Sequence, residues 1–233
     1  DYKVTEFRRV LFRSDVYECE ATDNAGGLLV FDLPDLPVKR GEKVRLFKNK
    51  VYGNNHVNFA PKGNIVGSVP PGTGVMIMAT DQVEVFDNDV SDNKTCNLSL
   101  ISYKTTDRPV KDKDYDPYSE GVYVHDNRFS GGGTDPGGVL GTALRVVLKK
   151  TPLPDIVYDG AVNAKLAKDG ELPSDLRLVI KNNGDADFVD LQIRKVGGIA
   201  DLVSGKVKPG TDLKAYAGER APLPPVKIPG VDG

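Results

Sequence analysis

One phrase recurs three times in this chain, and its spacing is the strongest constraint on the fold. The phrase alternates apolar and polar residues and then has an asparagine, one polar residue and another apolar residue. Its three copies contain Asn49, Asn88 and Asn127, and 39 residues separate each asparagine from the next. A constant period of this size is typical of supersecondary units that are stacked in one direction. The sequence therefore predicts a repeat architecture.

The alternation within each phrase indicates strands. In the segment 83–85, for example, two valines flank a glutamate, which places both valines on one face of a strand. Each phrase is followed by a loop and a second apolar run, which we expect to be another strand: Gly74–Ala79, Asn97–Ser102 and Gly141–Leu148. Coils of two or three short strands joined by corners fit this pattern better than hairpins with tight two-residue turns.

Stacked coils bring equivalent side chains above one another at the strand spacing of ~4.8 Å. We expect Asn49, Asn88 and Asn127 to form a column of side-chain hydrogen bonds, and to adopt the left-handed backbone that a corner needs. A second column, mostly aromatic, is predicted two residues earlier in each phrase: Phe47, Phe86 and His125. For His125, ladder packing competes with a role as a general base.

Three segments carry a resemblance to a known family. They are Val-Glu-Val-Phe-Asp-Asn at 83–88, Asn-Asn-His-Val-Asn-Phe-Ala-Pro at 54–61 and Gly-Thr-Gly-Val-Met-Ile-Met-Ala at 72–79. These segments resemble right-handed parallel β-helix proteins of the pectate-lyase-like class, and more closely an uncharacterised bacterial branch with signal or lipoprotein peptides. The similarity covers residues 15–193. It implies an all-β right-handed parallel β-helix with an irregular C-terminal extension, an extracytoplasmic location (periplasmic, outer-surface or secreted) and contact with polysaccharide.

Two functions compete under this resemblance. The first is a binding or scaffold module that interacts with polysaccharide. The second is a polysaccharide lyase or C5-epimerase acting on uronic-acid polymers, which needs a carboxylate neutraliser and a base for the sugar proton. His56, Asp87 and Asp89 are the candidate catalytic residues for the enzyme, although solvent-facing or corner roles compete for each. The sequence has no compact Lys/Arg/Asp constellation on successive coils, which favours the binding module.

No cofactor is predicted, and calcium is the one alternative. Asp112, Asp114 and Asp116 alternate as in a calcium loop. The segment departs from the EF-hand pattern, because Pro117 stands where the pattern needs glycine and Tyr123 stands where it needs glutamate. A looser calcium site and a solvated charged loop are the two interpretations that remain.

Composition excludes some partners. The net charge of −2 and pI of about 5.8 give no electrostatic case for nucleic acid. No apolar run is long enough for a membrane-spanning helix. The two cysteines, Cys19 and Cys96, fall in different parts of their coils, and we expect no disulfide between them.

The chain divides into four segments. Residues 1–14 resemble the in-frame translation of a sequencing-library adapter, and we expect them to lie outside the fold. Residues 15–150 are predicted to form β-helix coils, 151–218 further coils and strands, and 219–233 a proline-rich extended tail or linker. The native N-terminus, with a signal peptide and the first coils, is expected to be missing. An uncapped first coil predicts self-association through that end.

Overall fold

The structure, a computed structural model, describes residues 13–61, 63–168, 171–195 and 199–227, and these consist mainly of short parallel strands with few helices. Residues 1–12 of the adapter-like segment lie outside this description, whereas Ser14 is part of the first strand. The strands form three parallel sheets. Sheet 1 contains β1 (Ser14–Tyr17), β4 (Val44–Phe47), β7 (Glu84–Phe86), β10 (Tyr123–His125) and β13 (Val179–Lys181). Sheet 2 contains β2 (Glu20–Thr22), β5 (Lys50–Tyr52), β8 (Asp89–Ser91) and β11 (Arg128–Ser130). Sheet 3 contains β3 (Gly26–Phe31), β6 (Thr73–Met78), β9 (Cys96–Ile101), β12 (Ile156–Tyr158) and β14 (Phe188–Asp190).

The chain visits the three sheets in turn. Within each sheet, every strand pairs in parallel with the corresponding strand of the preceding round. We name each round a tier: tier 1 is β1–β3, tier 2 is β4–β6, tier 3 is β7–β9, tier 4 is β10–β12, and tier 5 is β13 and β14. This strand order is compatible with a parallel β-helix.

The core lies between the three sheets. In sheet 1, one apolar residue from each tier stands opposite the next in the strand register: Val16, Leu46, Val85, Val124 and Ile180. These side chains pack with inward residues of sheets 2 and 3 into one cluster. Full burial of such a side chain stabilises the fold by about 1.5–3 kcal/mol, so the stack is held mainly by this continuous apolar column.

The segment Gly141–Leu148, which was expected to be a strand, is instead part of helix α1 (Gly138–Leu148), and that prediction is wrong. Its apolar residues include Leu140, Leu144 and Leu148, four residues apart, which places them on one helix face. Leu144 is 1% exposed, and this face packs on outward residues of sheet 3 such as Val157. The third strand of tier 4 is β12, further along the chain.

Residues 161–168, whose sequence pattern would allow a short helix, instead contain a turn in which the Leu166 N–H donates to the Asn163 carbonyl at 3.0 Å. The second helix of the structure, α2 (Ile199–Val203), comes later in the chain. No helix among the described residues is both long and apolar enough to cross a bilayer.

Two long loops cover part of the outer face of sheet 3, and the C-terminal segment covers part of the outer face of sheet 1. Loop 53–72 leaves tier 2 and loop 102–122 leaves tier 3. Side chains from both, including Val69 and Tyr115, join outward residues of sheet 3 in a buried cluster. The segment 219–226, predicted as a tail or linker, lies against the outer face of sheet 1.

Candidate functional site

Asn49, Asn88 and Asn127 lie on successive tiers and are joined by side-chain hydrogen bonds. Each donates from both its backbone N–H and its Nδ2 to the Oδ1 atom of the next asparagine. The distances are 3.0 and 2.9 Å from Asn49 to Asn88, and 3.1 and 2.9 Å from Asn88 to Asn127. Asn183 of tier 5 continues the column, accepting from Asn127 at 3.0 and 2.9 Å. We name these four residues the first asparagine column.

The left-handed backbone falls one residue earlier than expected. The residues with positive φ are those directly before each member of the column: Lys48 (55°), Asp87 (54°), Asp126 (53°) and Asn182 (52°). The preceding residue turns the corner, and the asparagine then points its N–H and its amide at the same acceptor on the next tier. The expectation that the asparagines themselves take the left-handed conformation is therefore wrong.

Cys19 occupies the position of this column on tier 1. Its N–H donates to Asn49 Oδ1 at 3.1 Å, but its thiol reaches only the Tyr17 carbonyl at 3.3 Å and is exposed. Cys96 is buried, burial raises the pKa of its thiol to about 12, and both cysteines are free. Only Cys19 is therefore accessible as a thiol.

Replacement Cys19→Asn is expected to raise the free energy of unfolding by about 0.5–1.5 kcal/mol. The new amide would donate to Asn49 Oδ1 and to the Tyr17 carbonyl, as Asn88 does to Asn127 Oδ1 and to the Phe86 carbonyl. Urea denaturation of the wild type, Cys19→Asn and Cys19→Ala measures this. If Cys19→Asn is no more stable than Cys19→Ala, the position does not belong to the column.

The predicted aromatic column is also continuous, and it begins one tier earlier, at Tyr17. The rings of Tyr17, Phe47, Phe86 and His125 stack with centroids 4.9–5.2 Å apart and interplanar angles of 2–10°. Because their faces cover one another along the stack, Phe47 and Phe86 have no free face for a sugar ring. Their arrangement is that of a stacked ladder.

His125 is held from both sides of its ring. Its Nδ1 lies 2.7 Å from Asp126 Oδ2 and its Nε2 lies 3.1 Å from Glu84 Oε1. The contact with His125 holds the pKa of Asp126 below its usual value. With both nitrogens engaged by carboxylates and the ring stacked on Phe86, His125 is poorly placed to approach a substrate proton.

A second asparagine column, which the sequence analysis did not predict, lies at the corner between sheets 2 and 3. Asn24 donates from its N–H to Asn54 Oδ1 at 3.3 Å, and Asn54 donates likewise to Asn93 Oδ1 at 3.1 Å. Gly74 lies beside this column, and a Cβ there would lie 2.5 Å from the Asn97 carbonyl oxygen and 2.7 Å from Asn93 Nδ2. Asn54 and Asn93 are also 39 residues apart, a signal present in the sequence.

The catalytic candidates are not brought together. His56 is exposed on loop 53–72, where its N–H donates to the Asn24 carbonyl and its Nδ1 lies 2.9 Å from the Val57 carbonyl. Asp87 is an exposed corner residue, and Asp89 pairs with Arg128 at 2.8 Å on the surface. No hydrogen bond of the described residues joins His56 to either aspartate.

The three aspartates that are the alternative candidates for a calcium loop contact different partners. Asp112 pairs with Lys39 at 2.5 Å, and this contact holds the pKa of its carboxyl below the usual value. Asp116 accepts from Asn163 Nδ2 at 3.0 Å, while Asp114 donates its N–H to Asp112 at 3.0 Å. Over the described part of the chain, no group of three or more His, Cys, Asp or Glu side chains is arranged to hold a metal ion.

A cleft of ≈ 920 Å³ lies on the outer face of sheet 3, and we name it the sheet 3 cleft. Its floor is apolar and formed by outward side chains of three strands: Phe31, Met76, Met78 and Ile101. Its walls come from segment 65–71, turn 104–107 and α1. The uninterrupted apolar run in β6 signals that both faces of this strand are covered, since a half-exposed strand alternates.

Polar contacts fix the walls of the cleft. Arg108 donates from Nη1 to the Gly63 carbonyl at 2.9 Å and from Nη2 to Ser68 Oγ at 2.9 Å, which joins the two long loops. Thr95 Oγ1 donates to the Pro71 carbonyl at 2.5 Å and accepts from the Gly137 N–H at 2.9 Å. These bonds hold loop 53–72 against the start of α1. The cleft is therefore preformed.

A buried acid pair lies outside the cleft, at the corner that leads into sheet 1. Glu120 is 2% exposed and its two carboxyl oxygens have no hydrogen-bond partner among the described residues. Burial, with the adjacent Asp81 and Asp116 carboxyls, raises the pKa of Glu120 to about 9, and burial also raises that of Asp81. The pair of Glu120 and Asp81 consequently binds a proton more tightly than exposed carboxyls do.

The asparagine and aromatic columns thus have a structural role, whereas the sheet 3 cleft is a preformed cavity that could hold a ligand. No hydrogen bond among the described residues joins the residues that sequence reasoning placed at a catalytic site. The cleft, in contrast, is formed by loops and a helix whose positions the repeat does not specify. Comparison of the chain with protein-family models, with curated proteins and with solved structures gives no significant match, so any function must be argued from this geometry.

Proposed function

We propose that this chain is a right-handed parallel β-helix protein of the pectate-lyase-like class that acts outside the cytoplasm and binds a segment of polysaccharide in the sheet 3 cleft. The observation that carries the proposal is the cleft itself, with its volume of ≈ 920 Å³ and its preformed walls. The strand order and the sequence resemblance support the fold class. The extracytoplasmic location and the choice of polysaccharide derive from the resemblance.

The lining of the cleft suits a ligand with apolar and polar faces. Small-molecule sites are typically ~300–1,000 Å³, mostly apolar, with a few polar groups that fix orientation. Phe31, Ile65 and Leu140, which line the cleft and are partly exposed, provide an apolar surface against the C–H faces of sugar rings. Lys104, Thr106 and Asp107 at the rim provide hydrogen-bonding groups for hydroxyls or carboxylates.

Binding is favoured over cleavage because the described residues lack a catalytic constellation in the cleft. A lyase or epimerase needs a base beside a group that neutralises the substrate carboxylate. Asp107 and Lys104 lie at the rim, and the candidate His56 is not among the residues that line the cleft. The cleft therefore holds a ligand without an evident means of activating it.

Filling part of the cleft is expected to weaken polysaccharide binding. Ala143 lines the cleft from α1, so Ala143→Trp would occupy part of it and weaken polysaccharide binding at least tenfold. Val146 lies on the same helix and is 54% exposed, so Val146→Trp adds the same ring outside the cleft and should bind as the wild type does. Isothermal titration calorimetry with alginate, pectate and a neutral glucan measures the affinities, with melting temperatures confirming that both variants fold.

Two results would contradict the proposal. If none of the polymers binds the wild type, or if Ala143→Trp and Val146→Trp bind equally well, the cleft is not the site. Incubation of the same uronic-acid polymers with the protein and calcium tests the enzyme alternative. Absorbance of unsaturated products would show lyase activity, and proton NMR would show epimerisation; either result would replace the binding module by an enzyme.

A further inference from the structure

The C-terminal segment 219–226, which we name the tail, is held on the outer face of sheet 1 by contacts to its backbone. The Leu223 N–H donates to Glu84 Oε2 at 2.9 Å, and the Leu223 carbonyl accepts from Arg45 Nη1 at 3.2 Å. The Val226 N–H donates to Asp15 Oδ2 at 3.2 Å. Sheet 1 thus recognises the polar groups of an extended main chain.

At the other end of the tail, Arg220 anchors the segment to tier 5. Its guanidinium donates to the carbonyls of Asp175 at 2.7 Å and Arg177 at 2.6 Å, just before β13. Glu219 pairs with Lys181 of β13 at 2.6 Å. The tail therefore runs from tier 5 back to tier 1.

The contacts of the tail repeat every three residues. Arg220 meets tier 5, Leu223 meets tier 3 and Val226 meets tier 1. These three residues are partly buried, whereas the residues between them are exposed. A period of three residues is that of the polyproline II helix, which prolines at 222, 224 and 225 favour.

The rise of a polyproline II helix matches the spacing of the strands in sheet 1. A polyproline II helix rises 3.1 Å per residue, or about 9.3 Å per turn of three residues. Alternate strands of a sheet are about 9.4–9.8 Å apart. One turn of the tail therefore advances by two tiers of sheet 1, so that Asp15 and Glu84, two tiers apart, meet equivalent positions of the tail.

Prolines also select which N–H groups the tail presents. With prolines at 222, 224 and 225, the donors within 221–226 are the N–H groups of Ala221, Leu223 and Val226. Those of Leu223 and Val226 meet carboxylates, and that of Ala221 has no partner among the described hydrogen bonds. Arg45 holds the acceptor Asp15 in place through two bonds of 2.9 Å.

We propose that the outer face of sheet 1 is a binding site for proline-rich segments in the polyproline II conformation, and that the tail is its ligand within the same chain. The partner that fits is a proline-rich peptide with a basic residue, followed by N–H donors three and six residues later. The side chains of Asp15, Arg45 and Glu84 form hydrogen bonds with the main chain of the peptide. The carbonyls before β13 accept hydrogen bonds from its basic residue. This site is separate from the sheet 3 cleft.

The test uses the full chain with a tail whose backbone cannot donate hydrogen bonds to Glu84 and Asp15. In Leu223→Pro/Val226→Pro the tail keeps its conformation but loses both N–H groups, so it should leave the face. A fluorescent peptide of residues 217–227 should then bind this variant at least tenfold more tightly than the wild type, whose site is already filled. The peptide carrying the same two prolines should not bind.

Two matched variants isolate the N–H groups. Leu223→Ala/Val226→Ala removes the same side chains but keeps the two N–H donors. Ala221→Pro adds a proline at a position whose N–H makes no hydrogen bond with the described residues. In both variants the tail should stay on sheet 1, so the added peptide should bind them more weakly than it binds the double-proline variant. Equal peptide affinity for all four proteins, or equal binding of the two peptides, would overturn the proposal.

Hydrogen exchange of the wild type provides a test that does not depend on any variant. After correction for intrinsic rates, the Leu223 and Val226 amides should exchange at least tenfold more slowly than the Ala221 amide. Equal exchange of the three amides would show that the tail is not held in this register, and would also overturn the proposal.

Discussion

Replacement Asn88→Ala is expected to lower the free energy of unfolding by about 3–5 kcal/mol. Asn88 is 3% exposed and lies in the middle of the first asparagine column. Its Oδ1 accepts from the N–H and Nδ2 of Asn49, and its Nδ2 donates to the Leu46 carbonyl at 2.9 Å and to Asn127 Oδ1. Alanine removes the acceptor of the Asn49 N–H and the donor to the Leu46 carbonyl, and each such buried group costs about 1–3 kcal/mol. Asn49 Nδ2 and Asn127 Oδ1 each keep one partner, the Val16 carbonyl and the backbone N–H of residue 88.

Urea denaturation followed by circular dichroism measures this loss. Asn64→Ala is the control, because Asn64 is exposed and its side chain makes one local bond to the Val66 N–H. We expect the control to change stability by less than about 1 kcal/mol. A loss at Asn88 no larger than that at Asn64 would mean that the column does not hold the tiers in register.

Replacement Glu120→Gln is expected to stabilise the protein at alkaline pH by an amount on the order of a few kcal/mol. In the folded chain, burial beside Asp81 raises the pKa of Glu120 from 4.5 to about 9. Between these values the folded state binds a proton that the unfolded state has released, so the stability of the wild type falls as the pH rises. Glutamine, which is neutral at every pH, removes that part of the dependence.

Urea denaturation at pH 5, 7 and 9 tests the prediction. The wild type should lose stability steadily over this range, and Glu120→Gln should lose less, with the largest difference at pH 9. A residual slope is expected because the pKa of Asp81 is also raised. Glu171→Gln, whose carboxylate is exposed and paired with Arg177, should follow the wild type. Parallel slopes for Glu120→Gln and the wild type would show that Glu120 is charged in the fold.

The parallel strands, the first asparagine column and the aromatic column could be predicted from the sequence because stacking imposes them. Each tier must place the same side chains at the same corner, so alternation and a repeated asparagine survive in the sequence. The constant spacing of 39 residues has a less simple origin. Tier 2 carries its long loop, 53–72, between sheets 2 and 3, whereas tier 3 carries its long loop, 102–122, between sheets 3 and 1. Two different loops of similar length therefore produce one period.

The variable lengths of the loops also explain why the sequence did not predict the end positions of the first asparagine column, Cys19 and Asn183, or the sheet 3 cleft. Only strands and corners must superpose, so loops can change length freely. The column spacing is accordingly 30 residues from Cys19 to Asn49 and 56 from Asn127 to Asn183, and neither step shows in a search for a fixed period. The sheet 3 cleft is formed by these loops and by α1. Its location depends on contacts such as that of Arg108 with Ser68, which join residues 40 positions apart without any repeated motif.

The tail also changes how the stack can come apart. In a stack whose tiers contact only their neighbours, unfolding can begin at either end and proceed by fraying. Here the tail contacts tiers 1, 3 and 5. Tiers 1 and 5 therefore cannot unfold separately until the tail has detached. The tail connects the first and the last of the five described tiers directly. The cooperativity of unfolding should therefore extend over all five tiers, in place of independent melting at each end.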